Sequence, residues 1–522
     1  MTGPDQTNPD EAMRQMIEEF RRKYTIPGHA EEYPDKAALV QGDRRIGYGE
    51  YDERINRFGN ALKGLGLQGG DRFCILLHNG HPYLEASNAA VRNQMTMVPI
   101  SYRFKAKEMA YIIENSESRA LVFGEEFLPE VDRLPPLPGL KHRIVVGRPG
   151  RADLLEYEDL LAGASPEGDA AVPSKISTLQ YTSGTTGQPK GAQRTIEDLS
   201  LYLAASMTFL AEFGYQEDDV HLACCPLYHS APPVFAAFSS TVGGTVVVMP
   251  RFEPAEFLRL VEKEKVTSSF VVPTVLQAVL NLPEEEKRRY DLSSLRSVIV
   301  AGAQCPERVK LEIVDLFGPC LYEFYGSTEG MINTIMKPAD FARKPKSCGR
   351  AGPFNEIRIL DPTGRECPTG GSGEICVKNP LLMMSYYKDD QKTEDSFREG
   401  FYRTGDVGYV DEEGFYYIVD REKDMIISGG VNIYPAEIEN ELISHPKVYD
   451  AAVIGVPDEY WGEAVKAFIV LKPGQTATAE EIAAYCLENM ADYKKPRHVV
   501  FMDELPRSPE GKMLKNVLRR MG

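Results

Sequence analysis

Tyr181-Thr-Ser-Gly-Thr-Thr-Gly-Gln-Pro-Lys-Gly191 follows directly on a strand-like run, Ile176 to Tyr181. Hydroxyl side chains, three glycines and a lysine make a loop rich in N–H, O–H and ammonium donors, which is what polyphosphate oxygens require. It is not a Walker A element. Pro189 stands where the G-x-x-x-x-G-K-[ST] spacing needs its second glycine, and no G-x-G-x-x-G opens a helix elsewhere. An isolated Ser/Thr/Gly cluster is ordinarily a surface turn, so the surrounding chain has to decide between the two readings.

Outward from this loop, short β-branched runs alternate with amphipathic stretches. Ser269 to Val272 reads as a strand, Thr274 to Asn281 as the helix after it, and Ser297 to Val300 and Leu321 to Tyr325 as further strands. Such alternation predicts an α/β architecture with largely parallel sheets. The texture changes near Asp420. Pro435 suits the first position of a helix containing Ile438, Leu442 and Ile443. Strands at Ala451 to Gly455 and Val465 to Leu471 and a helix over Ala479 to Asn489 complete an α+β unit of about a hundred residues. The junction falls at Asp420 to Lys423, which gives domains over 1–420 and 421–522.

At roughly 100–200 residues per domain, a chain of 522 residues holds three or four structural units. The 59 Lys and Arg against 77 Asp and Glu give a net charge of −18, which disfavours a sequence-independent grip on nucleic acid. An anionic substrate must then be captured by local cations and backbone N–H groups. The N-terminus carries acidic residues where a signal peptide needs a basic start, so no secretory route is expected. The uncharged stretch Leu222 to Pro250 contains Pro226, Pro232, Pro233, Gly243 and Gly244, and reads as strand-loop-helix-strand instead of a membrane span. Nine cysteines with no CxxC and no zinc spacing fit reduced thiols in a cytoplasmic protein.

Five further segments accompany the loop in fixed order: Cys225-Pro-Leu-Tyr-His229, Phe324-Tyr-Gly-Ser-Thr-Glu-Gly330, Tyr402-Arg-Thr-Gly-Asp406, Asp420-Arg-Glu-Lys-Asp-Met-Ile-Ile-Ser-Gly-Gly430 and Pro506-Arg-Ser-Pro-Glu-Gly-Lys512. Together they resemble the adenylate-forming superfamily of acyl-CoA synthetases, luciferases and peptide-synthetase adenylation domains, over essentially the whole chain. The resemblance implies a large N-terminal α/β domain, with sheets flanked by helices plus a small β-barrel-like subdomain, and a small mobile α+β C-terminal domain.

It also implies roles. Thr182, Ser183, Gly184, Thr185, Thr186, Gly187 and Lys190 would hold the ATP phosphates. Glu329 would take the magnesium ion that bridges them, a task suited to a hard carboxylate. Thr328 would contact phosphate and substrate carboxylate, and Tyr325 and Gly326 would flank the adenine. Gly302-Ala303-Gln304 is similar to the adenine-side loop, although the family more often has a small third residue. Asp406 and Arg421 look like the pair that binds the ribose hydroxyls. Lys512 resembles the lysine that stabilises charge in the adenylation transition state. Without the preceding Pro-Glu-Gly turn, it would read as part of a solvated helix face.

Lys423 matches the hinge on which the small domain rotates, and Ser428, Gly429 and Gly430 the strand lining the pantetheine tunnel of coenzyme A. His229 resembles the gate between that tunnel and the acyl pocket, with a steric and positioning role; a lone histidine in an apolar run is otherwise a core residue. Pocket positions by the same resemblance are His229, Pro233, Val234, Phe238, Val272, Thr274, Gly302, Gly326, Met331 and Thr334. Ser230 to Phe238 contains no acidic residue to hold an α-ammonium, and the only tryptophan, Trp461, lies in the small domain and cannot cap the pocket. An acid larger than acetate follows, because an uncapped apolar pocket gains affinity with each CH₂ it buries.

The chain departs from the family at Lys378-Asn379 and Met384-Ser385-Tyr386, where Arg-Gly and Met-x-Gly-Tyr are common. The expected activity is ATP-dependent acid:CoA ligation, with a medium- or long-chain fatty acid first. Aryl or alicyclic acids, or loading of a carrier-protein thiol, are the alternatives. ATP, Mg2+ and coenzyme A are the expected cofactor and co-substrates, with no nucleic-acid partner and a homodimer as the candidate assembly.

Overall fold

The computed structural model of the protein describes residues 18–168, 173–182, 189–421, 424–428, 431–458, 460–507 and 513–521. The chain divides into two compact units: Met1–Val271 with Leu282–Ile299 and Met383–Thr393, and Val272–Asn281 with Val300–Leu382 and Glu394–Gly522.

The first unit contains an all-parallel sheet in the order Thr96–Pro99, Arg72–Leu76, Ala120–Gly124, His142–Val146, Leu155–Glu156. Its alternating side chains feed two cores. Cys74, Leu76, Leu121, Phe123 and Val145 face one; Phe73, Ile75, Ala120, Val122 and Ile144 face the other. A sheet buried on both faces needs such unbroken apolar strands. A second sheet runs Ser297–Val300, Ser268–Val271, Val220–Ala223, Thr245–Val248, Ala37–Gln41, with Arg44–Gly47 as an antiparallel edge.

The uncharged stretch from Leu222 is indeed strand, loop, helix Ala231–Thr241 opened by prolines, and strand Thr245–Val248. Among the described residues no helix is long and apolar enough to cross a membrane. A small antiparallel sheet is made of Ser385–Tyr386, Lys190–Ile196 and Ile176–Thr182, with residues 183–189 between the last two strands in sequence.

In the second unit, the hairpin Leu321–Ser327 and Met331–Met336 is followed by an antiparallel sheet of Glu356–Leu360, Gly373–Lys378, Phe401–Val410, Phe397–Arg398 and Tyr416–Arg421. The C-terminal segment pairs Val448–Asp458 with Gly462–Leu471, flanked by Ile426–Ser428, Val431–Ile433 and the parallel strand His498–Phe501. One face buries Ala451, Val453, Val465, Ala467 and Ile469 in the same core as helix residues Ile438, Leu442, Ile482 and Cys486; the other buries Ala452, Ile454, Phe468 and Val470 with Leu505 and Leu518.

These two strands are longer than the sequence suggests. Gly455 and Pro457 look like strand breakers, yet both lie in a ladder that continues to Asp458 opposite Gly462. Helix Pro435–Ser444 begins where predicted, and the buried Asp420 carboxylate accepts from the Ala436 N–H at 2.9 Å, satisfying one of its orphan donors. All nine cysteines are free thiols.

Candidate active site

The hairpin around Ser327 carries the densest group of predicted site residues. Tyr325 pairs with Thr334 and Gly326 with Ile332, so Asn333 is the extra residue of a β-bulge. A Cβ on Gly326 would run into the Met331 carbonyl, which restricts the position to glycine. Met331 has φ +61°, a left-handed conformation rare for a side chain of its size. The Gly330 N–H donates to Ser327 Oγ at 2.9 Å and closes the turn bearing Thr328 and the buried Glu329.

Tyr325 donates its hydroxyl to Asp406 Oδ2 at 2.7 Å. Burial first, and then the Asp406 carboxylate, hold the phenol well above its ordinary pKa, so it stays protonated and remains the donor. Asp406 lies opposite Arg421 in the Phe401–Val410 and Tyr416–Arg421 pair. The Asp406 N–H donates to Thr404 Oγ1 at 3.1 Å, while the Thr404 hydroxyl donates to the Ile375 carbonyl at 2.7 Å. The hairpin bearing Tyr325 and the strand pair bearing Asp406 and Arg421 are therefore joined within one unit.

Gly302, Ala303 and Gln304 follow their strand in an exposed loop, with Gly302 at φ +88°; a Cβ there would lie 3.4 Å from Val272. Thr334 is fully buried and its hydroxyl donates to the Cys348 carbonyl at 2.6 Å.

Asn333 is wholly buried, and neither its Nδ2 nor its Oδ1 has a partner among the described residues. An unsatisfied buried amide costs about 1–3 kcal/mol. Asn333→Val is accordingly expected to raise the thermal unfolding midpoint by about 2–4 °C. A drop of that size in a melting experiment would mean that the amide is satisfied in solution.

In the first unit, Thr182 faces Lys190 across the two arms that enclose 183–189, and Lys190 Nζ lies 5.9 Å from the Tyr386 ring centre. The Cys225–His229 turn is held by two residues that sequence reading missed. Buried Asn79 donates to the carbonyls of Ala223, Cys225 and Met249 at 2.9–3.3 Å and accepts from the Leu227 N–H at 2.8 Å. Gln180 donates to the Tyr228 carbonyl at 2.7 Å. Single amides in a loop and a strand carry no periodic or motif signal. The half-buried His229 packs on Tyr228 with ring centres 4.2 Å apart. On helix Ala231–Thr241, Val234 is half-buried and Phe238 packs edge-on against Tyr215 and Phe235.

Ser428 ends its strand opposite Val431 and Gly462. The segment carrying Lys512 is bracketed by a bridge between Arg507 and Met513. Lys515 pairs with Glu439 and Arg519 with Asp424, each at 2.8 Å, so the last helix is anchored and not merely a solvated basic face. Ser183, Gly184, Thr185, Thr186, Gly187, Lys423, Gly429, Gly430 and Lys512 lie outside the described residues. Among the described residues no group of three or more His, Cys, Asp or Glu could hold a metal on its own. The Glu329 carboxylate offers hard oxygen atoms of the kind magnesium takes.

Residues 27–387 match the AMP-binding enzyme family, and residues 437–512 match the AMP-binding enzyme C-terminal domain. The chain belongs to this family, the adenylate-forming acyl-CoA synthetases. An acid, ATP and coenzyme A fit this AMP-binding enzyme as substrates. It is 36% identical over 489 residues to a feruloyl-CoA synthase of Amycolatopsis sp, covering 93% of this chain and 96% of the relative. It is 33% identical over 512 residues to a long-chain-fatty-acid–CoA ligase of Mycobacterium tuberculosis, covering 96% and 97%. Among solved structures, an anthranilate CoA ligase in complex with anthranoyl-AMP superposes with a TM-score of 0.87 at 28% identity, covering 96% of this chain and 97% of the other.

Proposed function

We propose that the protein is an ATP-dependent acid:CoA ligase for an apolar acid larger than acetate, with a medium- or long-chain fatty acid as the first choice. The observation that carries this reading is the hairpin bearing Tyr325, Gly326, Thr328 and Glu329, hydrogen-bonded through Tyr325 to Asp406 opposite Arg421. A carboxylate oxygen attacks the α-phosphorus of ATP, the bond to the bridging oxygen breaks, and pyrophosphate leaves. The thiol of coenzyme A then attacks the acyl carbonyl, and AMP departs with the ester oxygen.

Tyr325, Gly326 and the Gly302–Gln304 loop bind adenine in this scheme, while Asp406 and Arg421 bind the ribose. Thr182 to Gly187 and Lys190 hold the phosphates, and Thr328 orients the acid carboxylate. Glu329 would hold magnesium, which would supply neutralisation of the phosphate charge. Lys512 stabilises the charge spread over acyl oxygen and pyrophosphate. Rotation of 421–522 about Lys423 then withdraws Lys512 and brings Ser428, Gly429 and Gly430 to the pantetheine arm, with His229 gating its entry.

Val234, Phe238, Val272 and Met331 would give the acyl pocket its apolar walls. At about 0.8 kcal/mol per buried CH₂, kcat/KM for linear acids is expected to rise about fourfold per carbon from acetate until the pocket is full. Pyrophosphate release across C2 to C16 and aryl acids reads this directly; acetate matching octanoate would overturn it. A second reading, an aryl acid, is favoured by the likeness to the feruloyl-CoA synthase over 93% of the chain. Aryl acids outpacing every linear acid would select it.

A further inference from the structure

Asn379 gives the second unit a contact that glycine could not make. Its Nδ2 donates to the Gly330 carbonyl at 3.0 Å and to Asn355 Oδ1 at 2.9 Å. Its Oδ1 accepts from the Leu381 N–H at 2.8 Å, which fixes the amide orientation. Asn355 Nδ2 in turn donates to the Ile332 carbonyl at 2.8 Å, and to those of Pro353 at 3.1 Å and Gly352 at 3.3 Å. Two carboxamides in series thus grip the carbonyls on either side of Met331, the residue held at φ +61°. Strained backbone of this kind persists only where its surroundings over-determine it. The turn that Met331 terminates is the one bearing Thr328 and Glu329.

We propose that Asn379 and Asn355 are positioning residues for magnesium–ATP, acting through the Met331 conformation on the Thr328-Glu329 turn. This rests on the reading of Glu329 as the magnesium–nucleotide residue. Calorimetric titration of the full-length protein with Mg·ATP, in the absence of acid, is compared for wild type, Asn379→Gly, Asn355→Ala and Glu329→Gln, together with melting temperatures and separate KM values for ATP and acid. Both asparagine variants are expected to bind Mg·ATP about 3–10-fold more weakly, since each loses a hydrogen bond to a carbonyl flanking Met331. KM for ATP should rise in proportion, with KM for the acid changed less than about twofold and melting temperature nearly constant.

If Glu329→Gln weakens Mg·ATP binding while both asparagine variants leave it unchanged, the positioning inference fails and the reading of Glu329 stands. If Glu329→Gln also has no effect, both fail. A parallel loss of ATP affinity, acid affinity and melting temperature in the asparagine variants would reduce the contact to a structural one and overturn the inference.

Discussion

Lys512→Ala is expected to lower acid-dependent adenylate formation by at least about 10²–10³-fold, while thioester formation from supplied acyl-adenylate and coenzyme A stays within several-fold of wild type. In the first half-reaction, negative charge builds on the attacking carboxylate oxygen and on the departing pyrophosphate, and a lysine ammonium brought to that point stabilises the transition state more than the ground state. In the second half-reaction the charged leaving group is AMP, and the proposed domain rotation would have taken Lys512 away, so its loss should not matter. Truncation at this position should leave the fold intact, because the neighbouring helix is held independently by Lys515 with Glu439 and Arg519 with Asp424. Pyrophosphate release and thioester formation measured separately on the variant check the claim. Equal loss of both activities at an unchanged melting temperature would remove Lys512 from the role assigned to it.

Asp406→Ala is expected to reduce kcat/KM for ATP by about 10²–10³-fold. Two contributions combine. In the proposed scheme the carboxylate would accept hydrogen bonds from the ribose hydroxyls, and bonds to charged groups contribute about 1.5–3 kcal/mol each. The Tyr325 hydroxyl also loses its acceptor at 2.7 Å, and an unsatisfied buried donor costs about 1–3 kcal/mol. Tyr325→Phe removes the second contribution alone and should cost less than about tenfold. The double variant should fall short of the product of the two single effects, because the residues are in direct contact. KM for the acid should barely move in any of the three, as the ribose end is remote from the acyl group. Steady-state kinetics with each substrate varied in turn decide it: an Asp406→Ala enzyme with unaltered kcat/KM for ATP would separate this pair from the nucleotide.

Much of the fold was legible because periodicity and punctuation agree with it. Val246 to Val248 form a continuous buried run in a parallel strand, and Pro435 opens its helix where predicted. Boundaries failed where local propensity and tertiary pairing conflict. Gly455 and Pro457 argue against a strand locally, but pairing with Val465 and Glu463 keeps them in the ladder. The candidate site was readable as motifs because its residues cluster in short contiguous segments, although the segments themselves are far apart in sequence. Its supports were not. Asn79, Gln180 and Asn355 each act from another element, and their amides acquire meaning only when folding brings a particular carbonyl within reach. Asn379 is a partial exception, since the sequence marks it as a departure from the family without saying what it holds. Acid identity is hidden for a related reason: apolar residues proposed for the pocket, such as Val272 and Met331, favour an apolar acid without setting its length.

In the proposed function one chain couples adenylation of an acid to thioester formation. Its most direct test is to quantify pyrophosphate, AMP and coenzyme A thiol in one reaction of the full-length protein with Mg·ATP and its best acid. Pyrophosphate, AMP and thioester should form in equal amounts with multiple turnovers, and omission of coenzyme A should leave about one equivalent of pyrophosphate per active site followed by near arrest. Continued pyrophosphate release with no thiol consumed, across the whole acid panel, would mean that the protein does not couple the two steps.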